Sequence, residues 1–412
     1  MGNILMQGLF MFLCQGDSRN QMNNRAAFGD YLKENFCRLF PGLQWAHFDT
    51  IDEVLNKITM ENLEQVKTRM LREMIKKKRI TTTYDYYMIA VDATGVTTYD
   101  EDPGGKLLYR KLSGGRRQYL NHILEAKIVT PEGLSLSICS EPLNNRQRGL
   151  YEKQDCELKA FKRLADKLKK AFPRLPICLV MDGLYPNQTV FECCERNHWG
   201  YIITLKDGNL SNLQESIRDT EEKARKRFTR EVVLNKGKGE KKKCGTATYQ
   251  WIEGLAHKDY KLNWLECIWP GITTEDGETA PPRRFCHVTN LTPRVDGPFV
   301  DRVIAQIAEC GRRRWKIENE GFNTQKNQGY HLHHKFSRRS VDTLHNYYML
   351  LQIAHLINQV VIQSLEVAAL LKAHPKLTVK YLWEKLRSML DMCRLSVDRL
   401  AENERRCQIR LE

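Results

Sequence analysis

The stretch Tyr-Tyr-Met-Ile-Ala-Val-Asp at residues 86–92 decides the fold, because it is an apolar run of strand length that ends in a carboxylate. A second run of this kind, Ile-Cys-Leu-Val-Met-Asp, occupies residues 177–182. A carboxylate at the end of an apolar strand is costly to desolvate unless a cation or a hydrogen-bond donor meets it. One such aspartate alone is as often a turn or capping residue as a functional one. Asp92 and Asp182 together, with a helical glutamate, suit a site for two divalent metal ions.

The glutamate is Glu318, in the sequence Trp-Lys-Ile-Glu-Asn-Glu-Gly-Phe at residues 315–322. It falls on a helical stripe with residues at three- and four-residue steps, namely Ile304, Ile307, Ala308, Gly311, Trp315 and Phe322. Glu320 lies roughly 200° further around the helix and is expected to face away. We therefore predict Glu318 as the third metal ligand. The alternative is that Glu318 forms a salt bridge with a buried base.

The composition favours a polyanionic partner. The chain has 412 residues, a net charge of +15 and a pI of about 9.2, so nucleic acid is the first candidate and an anionic membrane surface the second. Hydrophobic and charged contents of 42% and 28% are typical of a soluble globular protein. No apolar run reaches the ~20 residues that span a bilayer. The 13 cysteines lack CxxC spacing and indicate a reduced, cytoplasmic setting.

The order of patterns along the chain predicts an α/β fold with a mixed sheet flanked by helices and with helical N- and C-terminal regions. A hairpin is expected around Pro131-Glu132-Gly133, a charged helix over residues 209–228, and a long helix over residues 299–325. The short β runs between residues 229 and 298 are interpreted as an inserted all-β subdomain. The expected parts are a helical region 1–83, the first part of the core 84–228, the β-rich insertion 229–298, a Glu-bearing helix 299–336 that completes the core, and a helical region 337–412.

Four stretches of the chain resemble the DDE insertion-sequence transposases of the IS-four branch, which have a ribonuclease-H-like catalytic core. Residues 91–95, Val-Asp-Ala-Thr-Gly, look like the first aspartate motif, and residues 181–185, Met-Asp-Gly-Leu-Tyr, look like the second. Residues 200–206 resemble the strand that follows the second motif. Residues 314–318, Arg-Trp-Lys-Ile-Glu, resemble the glutamate motif, and the long gap before them is β-rich, as in members with a β insertion.

The resemblance has departures from the branch signature Y-x2-R-x3-E-x6-K. Arg314 and Glu318 keep the R-x3-E spacing. The tyrosine position falls on Gly311, and the lysine position falls on Gln325, with Lys326 one residue late.

The resemblance implies a ribonuclease-H-like mixed sheet that is interrupted by the β insertion. It also implies a transposase in which Asp92, Asp182 and Glu318 hold Mg²⁺, with Mn²⁺ as a substitute. Such an enzyme binds the terminal inverted repeats of a mobile element as a dimer on paired ends, and it cuts and joins double-stranded DNA in the bacterial nucleoid. The alternatives are a metal-dependent nuclease of the same fold and a domesticated, inactive DNA-binding protein.

Basic residues near the acidic motifs are the candidates for phosphate contacts. For each of them the alternative is a solubilising surface charge. The predicted DNA-binding residues are Arg116, Arg117, Arg313, Arg314, Lys326 and Lys335. Further basic runs lie at residues 76–79 and 241–243.

Overall fold

The computed structural model describes residues 2–145, 154–234, 243–272 and 279–398. The strands are β1 Tyr87–Tyr99, β2 Leu108–Lys111, β3 Arg117–Val129, β4 Ser135–Leu143, β5 Ile177–Met181, β6 Gly200–Thr204, β7 Lys226–Val233, β8 Cys244–His257, β9 Tyr260–Trp269 and β10 Arg283–Thr289. The helices are α1 Gly2–Leu13, α2 Arg19–Phe28, α3 Leu32–Leu39, α4 Phe48–Leu55, α5 Met60–Lys76, α6 Glu157–Ala171, α7 Gln188–Asn197, α8 Ser211–Asp219, α9 Phe299–Arg312, α10 Thr324–Asn327, α11 Val341–Ile362, α12 Leu365–Ala373 and α13 Val379–Met392.

The ten strands form a single mixed sheet, which confirms the predicted fold class. Its order is β2-β3-β1-β5-β6-β10-β9-β8-β7, and β4 pairs with β3. The pairs β1–β5 and β5–β6 are parallel, and the other pairs are antiparallel. β10 pairs with β6, so the strands of the predicted insertion extend the central sheet rather than form a separate layer.

Both faces of the central strands are covered, which explains why β1 and β5 begin as continuous apolar runs. Ile89 and Val91 belong to the core that α6 and α7 close. Met88 and Ala90 face the opposite way, into the core beneath α9. Successive side chains of a strand alternate between faces, so each central strand contributes to both cores.

The terminal helical regions pack on each other in a third core. Helix α11 contacts α1, α4 and α5, and it is buried along most of its length. Arg25 of α2 pairs with Asp391 of α13 at 2.8 Å, and the amide of Asn35 donates to the carbonyl of Leu390. Among the described residues, no single helix is long and apolar enough to cross a membrane. Helices α11 and α12 together have the length and composition of a membrane span, but a bend of 64° separates them.

The structure confirms the predicted hairpin, since β3 and β4 pair across residues 130–134. The helix predicted over residues 209–228 is wrong in its second half, because α8 ends at Asp219 and β7 begins at Lys226. Hydrogen bonding of β7 to β8 overrides the charged, helix-compatible composition of this segment. The basic run at residues 241–243 lies outside the described residues apart from Lys243.

Candidate active site

The sequence predicted Asp92 at the end of a strand, but in the structure it lies within β1. The strand continues to Tyr99 because β3 pairs with it along its whole length, and Asp92 faces Glu125 of β3. The pairing with β5, however, stops at Ala90 and Val180. The edge that opens there is where the carboxylate sits, partly buried and with Oδ1 accepting a hydrogen bond from the N–H of Ala93.

Asp182 directly follows β5, as predicted. The register pairs Ala90 with Val180, so Asp92 and Asp182 both lie two residues beyond that pair and on the same face. Oδ1 of Asp182 accepts from the N–H of Leu184 at 2.8 Å, and Oδ2 lies 3.3 Å from Nζ of Lys206.

Glu318 lies in a π-helical segment, Ile317–Asn323, which replaces the last part of the helix predicted over residues 299–325. Helix α9 ends at Arg312, and a turn at residues 313–314 precedes the π-helical segment. The turn at residues 313–314 interrupts the regular helix before Trp315, and this residue leaves the predicted apolar stripe, with 51% of it exposed. Single-turn π-helical insertions are frequent at functional sites.

Arg314 joins two of the three carboxylates. Its Nη1 lies 2.6 Å from Oε1 of Glu318 and 3.5 Å from Oδ2 of Asp92. The guanidinium also stacks over the ring of Trp315 at 4.7 Å. The predicted alternative of a salt bridge from Glu318 to a buried base is therefore part of the structure, since the side chain of Arg314 is only 10% exposed.

A cavity of about 800 Å³ brings Asp182 and Glu318 together. Arg314, Lys206 and Arg284 supply positive charge to its wall. Asp92 does not line this cavity, but its Oδ2 lies 3.5 Å from Nη1 of Arg314, which does. Burial raises the pKa of Asp92 to about 7; Arg314 opposes this effect, and the charge of Glu318 adds to it. Two of the three predicted carboxylates, Asp182 and Glu318, thus line one basic cavity, and the third, Asp92, contacts Arg314 in its wall.

Sequence reasoning missed Glu157 and Tyr185, which lie beside the aspartates. The hydroxyl of Tyr185 donates to Oε2 of Glu157 at 3.2 Å. Burial raises the pKa of Glu157, and the charge of Asp182 raises it further. Tyr185 comes three residues after Asp182, within the quoted motif, so its position was visible in the sequence, whereas nothing near Glu157 indicated that α6 begins at this site.

The carboxylate oxygens have the chemistry that Mg²⁺ and Mn²⁺ prefer. In the described part of the chain, however, no three His, Cys, Asp or Glu side chains are grouped closely enough to hold a metal ion. Arg314 accounts for this arrangement in part, because its guanidinium is the counter-cation of Glu318 and Asp92. The carboxylate donors fit the metal by their chemistry, and Arg314 lies between Glu318 and Asp92.

Gly311, at the signature's tyrosine position, packs against a histidine. A Cβ atom added to Gly311 would lie 2.5 Å from Nε2 of His287, so no side chain fits there. His287 is 3% exposed and lines the same cavity as Asp182 and Glu318. Burial lowers its pKa to about 4, so the ring is neutral. The departure from the signature therefore has a steric cause in this chain.

The predicted DNA-binding residues fall into three groups. Arg314 and Lys326 lie at the site: the charges of Asp92 and Glu318 act on Lys326, whose pKa burial lowers. Arg313 is buried and donates to Oγ1 of Thr83 at 2.7 Å, which does not favour the predicted DNA contact.

The third group lies at the far end of the sheet. Tyr99, Tyr119 and Tyr109 form one cross-strand row over β1, β3 and β2. Arg117 stacks over Tyr109 at 4.5 Å, and Lys335 stacks over Tyr99 at 4.6 Å. Arg116, next to Arg117, is exposed. Eight residues of β3 separate Arg117 from Glu125, the partner of Asp92, which corresponds to ~26 Å at ~3.3 Å per residue. We call the three tyrosines with Arg117 and Lys335 the tyrosine row.

Residues 153–357 match the transposase DDE domain family. This match supports a DDE transposase. The matched region covers about half of the chain; it contains Asp182, Glu318 and the β-rich block, and Asp92 precedes it. No curated protein matches the chain. A transposase function and a divalent metal cofactor are general properties of such domains, and they agree with the acidic cavity and the basic composition.

Proposed function

We propose that this protein cleaves DNA at the ends of a mobile element of the IS-four branch and joins those ends to target DNA. The observation that carries the proposal is that Asp182 and Glu318 line one basic cavity, while Arg314 in its wall joins Glu318 to Asp92. The register of β1 and β5 supports it, since it aligns the two aspartates although 89 residues separate them in the chain. The match to the transposase DDE domain supports it independently.

Asp92, Asp182 and Glu318 would hold the divalent metal, with Mg²⁺ as the expected ion and Mn²⁺ as a substitute. When bound, the metal activates water or a DNA 3′-hydroxyl and stabilises the leaving oxygen. The chain's own residues bind and orient the DNA. Lys206 contributes an ammonium group and Arg314 a guanidinium group to the wall of the cavity, and both groups can bind phosphate oxygens. Lys326 adds a third cation beside the acids.

DNA contacts outside the cavity are assigned to the tyrosine row and to Arg116. Aromatic rings with cations stacked on them suit nucleic acid, because bases and sugars pack on the rings while phosphates meet the charges. The protein would act as a homodimer on paired terminal inverted repeats, in the bacterial nucleoid.

The experiment is a cleavage assay on labelled DNA that carries the repeats flanking the gene, with Mg²⁺ and then with EDTA. Asp92→Asn and Asp182→Asn should cut less than a hundredth as much DNA as the wild type, while gel shifts show that they still bind the repeats. Asp207→Asn is the matched control, because Asp207 lines the same cavity but is exposed and pairs with Arg284. Wild-type cleavage by either test variant would refute the assignment of the ligands.

A further inference from the structure

A second cavity, of about 300 Å³, lies between α9 and the strands β7 to β9. Three arginines, Arg230, Arg302 and Arg312, contribute to its wall, and we call it the arginine pocket. Arg302 and Arg312 come from one face of α9, whereas Arg230 comes from β7 across the pocket. Two acidic residues, Glu231 and Glu309, also line it.

Arg312 is the residue that most clearly lacks a counter-charge. Its guanidinium lies over the ring of Trp269 at 3.8 Å and over that of Phe285 at 4.9 Å. Burial lowers its pKa, so the protein has partly desolvated this cation. A half-buried guanidinium is costly unless an anion pairs with it. The two rings pack against the guanidinium, and a planar guanidinium can pair with phosphate through two hydrogen bonds.

The neighbouring carboxylates do not supply the missing anion. Within the described residues, none of the three arginines has a salt bridge, and Glu309 pairs instead with Arg313 at 3.4 Å. The contrast with the surroundings is clear, because nearby Lys226 pairs with Asp301 at 2.9 Å and Arg227 pairs with Glu222 at 3.0 Å. The arginines of the pocket are thus left for an external anion.

Arg312 connects this pocket to the catalytic cavity, since it lines both. We propose that the arginine pocket binds a backbone phosphate of the DNA strand that continues past the catalytic cavity. This inference rests on the proposed function, because it takes DNA as the substrate. Bidentate arginine–phosphate pairing would position the DNA without reading its sequence.

The test is a salt titration of binding to a labelled duplex of arbitrary sequence, with the full chain and without divalent metal. The double variant Arg230→Gln/Arg302→Gln removes two exposed arginines whose side chains form no salt bridge or hydrogen bond with the described residues. Loss of one or two phosphate contacts should lower the log–log salt slope by about 0.9 to 1.8. The affinity of the double variant for the duplex should also fall about tenfold or more at low salt.

The matched control is Lys223→Gln/Arg227→Gln, which removes the same charge. Arg227 lies on β7, one strand with Arg230, but it does not line the pocket. A test variant with the same slope as the control overturns the arginine pocket and leaves the proposed function intact. A wild-type slope near zero instead removes DNA as the partner, so the two failures are distinguishable.

Arginine modification by phenylglyoxal gives a second readout on the unmutated protein. Bound duplex should protect Arg230, Arg302 and Arg312 from modification, as read by mass spectrometry, while Arg227 stays reactive. Equal reactivity of Arg302 with and without DNA, under conditions where the duplex is bound, would refute the contact.

Discussion

Arg314 lies with Nη1 2.6 Å from Oε1 of Glu318, which makes it the closest cation of the proposed third metal ligand. The same atom lies 3.5 Å from Oδ2 of Asp92, so one guanidinium contacts two of the three carboxylates. We expect a metal ion to compete with Arg314, because the guanidinium already occupies Oε1 of Glu318 and lies near Oδ2 of Asp92. Release of Arg314 on metal binding would free it for a phosphate.

The first prediction follows from this competition. Arg314→Gln should bind Mn²⁺ about tenfold more tightly than the wild type, since a charge-assisted hydrogen bond contributes ~1.5–3 kcal/mol, and yet it should cleave DNA less well. Calorimetric titration with Mn²⁺ measures the affinity. Lys316→Gln is the control, because it removes the neighbouring ion pair to Glu320, which lies 3.3 Å away. Weaker Mn²⁺ binding by Arg314→Gln would mean that the arginine organises the ligands.

The second prediction concerns pH and stability. Burial raises the pKa of Asp92 to about 7, so the folded protein binds a proton more tightly there than the unfolded chain, whose aspartates titrate near pH ~3.9. The contribution of this group to the free energy of unfolding therefore falls as the pH rises from about 4 to 7.

Above this range Asp92→Asn should be more stable than the wild type by about 1–3 kcal/mol, and near pH ~4 the two should be equal. Urea unfolding at several pH values, without divalent metal, measures the difference. Adding Mg²⁺ should stabilise the wild type and not the variant. A variant that is less stable at neutral pH would show that Arg314 already compensates the charge of Asp92.

The apolar runs and their carboxylates were predictable because a buried strand with both faces covered leaves a continuous pattern. The same pattern could not show where β1 ends, since β3 continues to pair with it beyond Asp92. The stripe of residues around Glu318 was derived for an α-helix, with about 100° per residue. It therefore could not predict that Glu318 lies on a π-helical segment. Contacts between distant residues, such as the pair of Glu157 and Tyr185, depend on packing that no local pattern encodes.

The third prediction addresses the contact between Gly311 and His287. Gly311→Ala should destabilise the protein by about 1–3 kcal/mol, because the new methyl group would overlap a rigid, buried imidazole ring. His287→Ala should relieve the clash, so the double variant should be more stable than the sum of the single changes implies, by ~1 kcal/mol or more. Denaturant unfolding of all four proteins gives the coupling energy. Additive effects would show that the helix shifts to accommodate the methyl group.

The fourth prediction concerns the tyrosine row. Arg117→Gln/Lys335→Gln should lower the log–log salt slope of duplex binding by about 1.8, because each lost phosphate contact contributes ~0.9. Tyr119→Leu keeps apolar volume in the middle of the row and should weaken binding with little change of slope, since a ring contributes no charge. Fluorescence anisotropy at several salt concentrations separates the two effects. Lys372→Gln, on the exposed helix α12, is a single-charge control. An unchanged slope in the double variant would place the DNA elsewhere.

The last prediction distinguishes Glu318 from Glu320, two glutamates on the same π-helical segment. Glu318 lines the catalytic cavity and contacts Arg314. Glu320 pairs with Lys316 and lines a different cavity, of about 170 Å³, with Gly133 of the β3–β4 turn.

Glu318→Gln keeps the size of the side chain and removes the charge that a metal requires, so strand cleavage should fall by a hundredfold or more. Glu320→Gln should cut DNA within about twofold of the wild type and bind it equally well, because a neutral amide can still accept a hydrogen bond from Lys316. Cleavage of labelled ends by both variants at matched protein concentration is the measurement. An inactive Glu320→Gln beside an active Glu318→Gln would move the third ligand to Glu320 and would require the π-helical segment to turn toward Asp92 during catalysis.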